Sequence, residues 1–115
     1  MAYDEQLAVR IRRVLDKRSD ITERRMFGGL SFLRDGRMFA GVVGQDLVVR
    51  IVDEEMPPAL RRAHVRPMDF TGRPMRGFVY VGPQAVETDE ALREWIGRGL
   101  AFIQPKAPKR RRSVQ

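Results

Sequence analysis

Residues 30–52 read LSFLRDGRMFAGVVGQDLVVRIV, three short apolar runs separated by two groups of turn residues. Both turn groups, Asp35-Gly36 and Gly44-Gln45-Asp46, contain residues that tolerate the backbone of a tight reversal. The runs between them are rich in residues that favour extended backbone. This stretch therefore predicts a meander of antiparallel strands. The predicted strands are Leu30–Leu33, Met38–Val43 and Leu47–Val52.

The predicted meander starts one strand earlier, at the β-like run Thr22–Phe27, and the predicted sheet continues after it. Gly77–Val81 contains four strong β formers in a row. Residues 66–76 hold two prolines and a glycine, which predict an irregular loop. We therefore expect an antiparallel sheet of about five strands.

Three segments predict helices. Residues 4–17 repeat apolar residues at the spacing of one helical face, with acids in the first turn and bases in the last. Glu54–Ala63 predicts a short helix whose first turn tolerates two prolines. Thr88 is the expected N-cap of a final helix that places Trp95 on its sheet-facing side. The order of these elements predicts a two-layer α+β fold, with helices mainly on one face of the sheet.

A length of 115 residues is typical of one domain, and a hydrophobic content of 43% is sufficient for a core. The net charge of +7 is unevenly distributed. Residues 105–115 carry five basic and no acidic residues, whereas residues 1–104 carry 17 basic and 15 acidic ones. We expect a folded domain over residues 1–104 and a basic, disordered tail over residues 105–115.

The sequence favours a cytoplasmic protein that does not enter the membrane. It contains no cysteine, so a disulfide framework is excluded and a reducing compartment fits. The acidic N-terminus does not resemble a signal peptide. No apolar run approaches the roughly 20 residues that a spanning helix needs.

Residues able to carry out catalysis or to bind a metal are scarce. His64 is the only histidine and the sequence has no cysteine, so paired-histidine and thiolate metal sites are both excluded. The acids Asp53-Glu54-Glu55 precede a predicted helix, where acidic residues are favoured on electrostatic grounds alone. We therefore predict no catalytic residue, no metal site, no cofactor and no enzymatic activity.

Basic residues are the main candidates for contact with nucleic acid. Flexible cations bind phosphates weakly and without sequence preference, although a solvated tail or helix face has the same composition. The candidates in the tail are Lys106, Lys109, Arg110, Arg111 and Arg112, and those in the first helix are Arg10, Arg13 and Lys17.

The run Arg25-Met26-Phe27-Gly28-Gly29 and the Phe78-Val79-Tyr80-Val81 strand resemble the N-terminal domain of the TfoX/Sxy family of competence regulators. The similarity covers roughly residues 5–103. It implies the α+β fold, a cytoplasmic bacterial setting, no cofactor, and a regulatory or adaptor role. Regulators of this family promote transcription of DNA-uptake genes together with the cyclic-AMP receptor protein. They also carry a second, helical domain, and only the basic tail follows Phe102 here.

The glycine pair in this run has a structural explanation of its own. Gly28 and Gly29 follow a β-like segment, so they allow a bend or a bulge that other residues resist. The bend serves either to seat Phe27 in the core or to form a loop that contacts a ligand, with Arg24 and Arg25 beside it.

Three functions remain open at this stage. The first is a regulatory module that binds a protein partner, with weak nucleic-acid binding by the tail. The second is a non-specific DNA- or RNA-binding protein. The third is an enzyme with an unrecognised site. The sequence identifies no particular partner and leaves the oligomeric state open, a homodimer included.

Overall fold

The computed structural model describes residues 3–16, 20–26, 28–70 and 72–103. The strands form one antiparallel sheet in the order β1-β2-β3-β4-β6-β5. They are β1 (Ile21–Met26), β2 (Gly29–Arg34), β3 (Arg37–Val43), β4 (Asp46–Arg50), β5 (Val65–Phe70) and β6 (Arg73–Val81). The α-helices are α1 (Glu5–Val14), α2 (Met56–Leu60) and α3 (Asp89–Ile103), and short 3-10 turns cover Asp53–Glu55 and Pro83–Val86.

This arrangement confirms the α+β fold and the predicted meander, which is β1 to β4. The β2–β3 hairpin turns at Asp35 and Gly36, which both adopt positive φ, as the Asp-Gly pair indicates. Helix α3 begins after Thr88, whose hydroxyl accepts a hydrogen bond from the backbone N–H of Ala91 at 3.0 Å. The hydrophobic core lies between the sheet and the two longer helices, α1 and α3.

The expectation of an irregular loop over residues 66–76 is wrong, because most of this segment forms the β5–β6 hairpin. The sheet therefore has six strands. The carbonyl of His64 accepts a hydrogen bond of 2.7 Å from the backbone N–H of Gly82, which follows β6. Backbone groups alternate in direction along a strand, so every second residue of β5 after His64 also points its backbone groups toward β6. Pro67 lies at an alternate position, and its missing N–H faces the open edge, where no ladder bond is lost.

The two edges of the sheet are unequal. On β5, the N–H of Val65 donates to the carbonyl of Arg62, and Pro67 has no N–H to offer. On β1, the four central residues, 22–25, are exposed and none is a proline. Strand β1 therefore keeps the donors along its outer side that β5 lacks.

Helix α3 holds the largest buried side chain of the described residues. Trp95 is only 1% exposed and packs in the core with Leu92 and Ile96. One turn further along, Gly99 faces β3, and a Cβ atom added there would overlap the carbonyl oxygen of Phe39. The absence of a side chain at Gly99 thus allows α3 to lie directly on the sheet.

Helix α1 is fixed at its start and along its polar side. The carboxylate of Asp4 caps the helix by accepting hydrogen bonds from the backbone N–H groups of Gln6 and Leu7. The guanidinium of Arg12 forms a two-pronged ion pair with Glu23 on β1, with N–O distances of 2.8 and 2.9 Å. Hydrogen bonding to Arg12 lowers the pKa of Glu23.

The sheet also buries side chains on the face opposite the helices. Leu33, Val48 and Met68 are each at most 3% exposed, although they stand outside the main core. Tyr80 is the cross-strand partner of Val48, and its hydroxyl donates to the carbonyl of Asp69 at 2.9 Å. This second apolar layer explains why β2 and β4 read as nearly continuous apolar runs.

Replacing Trp95 by alanine should remove a large part of the stability of the domain. A buried aromatic deletion of this kind costs roughly 3–5 kcal/mol, because a cavity is left under the helix. Urea denaturation monitored by circular dichroism gives the change in free energy of unfolding. Arg93→Ala, at an exposed position of the same helix, is the control and should change it by less than about 0.5 kcal/mol. Equal effects of the two substitutions would contradict the packing of α3.

Candidate interaction surfaces

The Arg25–Gly29 run covers the end of β1 and the start of β2. Met26 and Gly29 are cross-strand partners at the end of the hairpin. Gly28 has a φ of 76°, a conformation that other residues resist, which confirms the predicted bend at the glycine pair. Gly29 is buried, and a Cβ there would overlap the carbonyl oxygen of Val42. The pair thus serves both the turn and the close packing of the strands.

The geometry of this loop does not distinguish its two predicted roles, which are to seat Phe27 in the core and to contact a ligand. Phe27 lies outside the described residues, so the prediction that it enters the core stays a prediction. Arg24 and Arg25 are exposed on β1, and neither forms an ion pair with any residue that the structure describes. A ligand-contacting role for this loop likewise stays a prediction.

The basic face of α1 is partly neutralised by the rest of the fold. Arg10 forms an ion pair of 3.4 Å with Asp89 at the start of α3, and Arg12 is held by Glu23. Arg13 is exposed, while Lys17 lies outside the described residues. The five cations of the tail, Lys106, Lys109, Arg110, Arg111 and Arg112, lie outside them too. The structure describes two of the predicted nucleic-acid contacts, Arg10 and Arg13. Of these, Arg13 has no ion-pair partner within the described ranges.

An open groove of about 420 Å³ runs between the end of β4 and helix α3. Its lining consists of Ile51, Val52, Gly97 and Ala101, together with the charged residues Glu55, Glu94 and Arg98. Gly97 exposes the helix backbone here, and a Cβ atom added at this position would meet no atom within 4 Å. The groove thus combines an apolar lining with charges of both signs.

The charged residues of the groove form one network above Trp95. Glu94 accepts hydrogen bonds from Arg98 at 3.1 Å and from Arg62 at 3.3 Å, and Arg98 also pairs with Glu55. The guanidinium of Arg62 lies 4.6 Å from the centre of the Trp95 ring system. The bonds from Arg98 and Arg62 lower the pKa of Glu94. The network ties α3 to the segments on both sides of α2.

A second feature, the arginine–aromatic cluster, consists of Arg37, Arg50, Phe78 and Phe102. The guanidinium of Arg50 lies 4.2 Å from the ring centre of Phe102 and 4.9 Å from that of Phe78. Arg37 approaches the same Phe102 ring at 5.8 Å. The cluster therefore gathers residues from β3, β4, β6 and the last turn of α3.

The residues considered for metal binding or catalysis are not brought together. His64 has a φ of 66° and is exposed in the turn before β5. Of the acids at residues 53–55, Glu55 pairs with Arg98. Within the ranges that the structure describes, no three His, Asp or Glu side chains are grouped to hold a metal ion. No helix of the described part is long and apolar enough to span a membrane.

Sequence reasoning did not find the groove or the arginine–aromatic cluster. Arg37, Arg50 and Phe102 are separated by 13 and 52 positions in the chain, so no local motif joins them. The one local signal for the groove is Gly97, a glycine inside a helical pattern, where alanine would be more stable.

The fold and these two surfaces define a small α+β domain whose C-terminal helix borders a groove on one side and an arginine–aromatic cluster at its end. The family model of the TfoX N-terminal domain matches residues 13–103, which is most of the chain. The protein therefore belongs to this family, as the Arg25–Gly29 run and the later strand predicted. No curated protein matches the chain.

Alanine substitutions should distinguish the glycines of the motif from the glycine in the groove. Gly28→Ala should cost about 1–2 kcal/mol because of its positive φ, and Gly29→Ala at least as much because of the overlap with Val42. Gly97→Ala should instead stabilise the domain by about 0.5–1 kcal/mol, as is usual for an unhindered helical position. Chemical denaturation measures all three. Unchanged stability of both motif variants would show that the turn does not require glycine.

Proposed function

We propose that this domain is a non-enzymatic interaction module that binds a protein partner in a regulatory role. The observation that carries the proposal is the groove beside α3, with its apolar lining and paired charges. Protein interfaces are commonly built in this way, with an apolar centre surrounded by polar groups. The ligand that fits is a segment of a protein that inserts an apolar side chain and flanks it with charges of both signs.

Two properties of the groove support a protein ligand. The bare backbone at Gly97 leaves room for a partner's side chain to contact the helix directly. Glu94 and Arg98 are already paired with one another, so the groove offers hydrogen-bonding groups of both signs and no strong excess of either. A ligand of one charge sign is disfavoured by such an arrangement.

The proposal includes a secondary, weak affinity for nucleic acid through the tail. Five cations and no acid in residues 105–115 favour phosphate contact without sequence preference. The alternative, a non-specific nucleic-acid-binding protein without a protein partner, rests on the same residues. Membership of the TfoX N-terminal domain family and the cysteine-free sequence suit a regulator that acts in the bacterial cytoplasm.

Filling the groove should abolish partner binding without harming the fold. Gly97→Gln places a long side chain in open space on a helix, so the stability of the domain should not fall. Gly97→Ala is the matched control, because it occupies little of the groove. The measurement is affinity capture from cells of the native host, with bound proteins identified by mass spectrometry. Proteins captured by the wild type and by Gly97→Ala should be lost with Gly97→Gln.

A further variant, used as bait in the same capture experiment, separates protein binding by the groove from nucleic-acid binding by the tail. In it, Lys106, Lys109 and Arg110–Arg112 are all changed to Gln within the full chain. A protein partner of the groove should persist with this bait and after nuclease treatment. If Gly97→Gln captures the same proteins as the wild type, the groove is not the binding site. If every captured protein disappears with nuclease, the domain is a nucleic-acid-binding protein and the module hypothesis is wrong.

A further inference from the structure

The arginine–aromatic cluster is a positively charged site without a counter-ion. Neither Arg37 nor Arg50 has a carboxylate within 4.0 Å among the described residues, whereas Arg34, Arg62 and Arg98 are paired. The Nε–H of Arg50 is buried and has no hydrogen-bond partner in the described part of the chain. Arg50 as a whole is only partly buried, so the terminal N–H groups of its guanidinium keep hydrogen-bonding capacity that an anion can use.

The position of Arg50 is set by the fold. Arg50 ends β4 opposite Phe78, and the Phe102 ring covers its other side. Gly77, which has a φ of 85°, leaves the space that the guanidinium occupies, because a Cβ there would lie 3.0 Å from the Arg50 Cζ. The side chain is therefore held in place before any ligand binds, which lowers the entropy lost on binding.

Arg37 adds a second charge to this held position. Both guanidinium groups lie near the same Phe102 ring, at 4.2 and 5.8 Å from its centre. Burial and the charge of Arg37 lower the pKa of Arg50, and the charge of Asp53 only partly opposes this effect. Arg37 is exposed and Arg50 is partly buried, and two neighbouring cations that repel each other gain from an anion that contacts both.

The direction of the chain after the cluster indicates the kind of anion. Phe102 belongs to the last turn of α3, so the sequence that follows the cluster leads directly into residues 105–115. That segment carries five cations and no acidic side chain that could neutralise the cluster. A string of cations of this length matches a polymer of phosphates better than a single small anion.

We propose that Arg37 and Arg50, which lie beside the Phe102 ring, form a phosphate-binding site for nucleic acid on the folded part of the chain. This rests on the secondary part of the proposed function, the nucleic-acid affinity of the tail. It adds to it a fixed point of contact, at which bidentate guanidinium bonds position the phosphodiester chain.

The test is a salt titration by fluorescence anisotropy, with a duplex DNA of arbitrary sequence and the full chain. Seven cations should give a log–log slope near about −6, and Arg37→Gln should make it shallower by about one. Arg50→Lys keeps the charge, so it should leave the slope unchanged while weakening binding several-fold, because lysine cannot form the bidentate contact. Arg93→Gln removes an exposed charge elsewhere and should leave both quantities unchanged.

A direct readout uses the NMR signal of the Arg50 Nε–H group. DNA should shift this signal in the wild type and in the chain with all five tail cations changed to Gln, at higher DNA concentration in the latter. Unchanged circular dichroism spectra establish that the variants are folded. If DNA binds to the tail while the Arg50 signal stays constant, the proposed site on the folded domain is wrong and the tail hypothesis remains.

Three other outcomes would also reject the proposal. If Arg13→Gln makes the slope of the salt titration shallower and Arg37→Gln does not, the site lies on α1. Inorganic phosphate shifting the Arg50 signal at ionic strengths where DNA does not would indicate a free-anion site. Polyglutamate that binds with the same slope and the same sensitivity to Arg37→Gln would indicate an acidic protein as the ligand.

Discussion

The contact between Gly99 and the carbonyl of Phe39 is the constraint on which both surfaces depend. Because no side chain separates α3 from β3 there, the helix lies close enough to the sheet to bury Trp95 completely. The same placement brings Gly97 beside the end of β4, where the groove forms. It also brings Phe102 over Arg50. A helix displaced outward by one methyl group would alter the core, the groove and the cluster together.

The pairing of arginines, and not their number, distinguishes one part of the surface from another. Residues 1–104 are nearly balanced in charge, which would suggest no electrostatic preference. In the structure, however, acidic residues form ion pairs with the arginines that join elements, such as Arg12 with Glu23 and Arg98 with Glu55. Exposed ion pairs of this kind contribute little stability, but they cancel local charge. Among the described residues, arginines without an ion-pair partner remain on α1 and β1, at Arg13, Arg24 and Arg25, and in the arginine–aromatic cluster.

The predictable part of this protein is its local structure. Asp35-Gly36 specifies a hairpin through backbone preference, and Thr88 specifies a helix start through one hydroxyl, so both were read correctly from neighbouring residues. Pro67 was misread, because a proline is compatible with a strand only at an edge, and strand order is not a local property. The arginine–aromatic cluster was not predicted from the sequence for the same reason. Its members come from four elements, and only the assembled sheet places them around one ring.

The inequality of the two sheet edges limits how copies of this domain can associate. An edge of β5 whose Val65 N–H is occupied and whose Pro67 lacks one is a poor template for a further strand. Among the described residues, β1 is then the better edge for strand addition, and pairing of β1 with β1 would occupy this edge in both chains. Such a pair would offer only its β5 edges for a further strand, which disfavours the open-ended stacking that produces fibres.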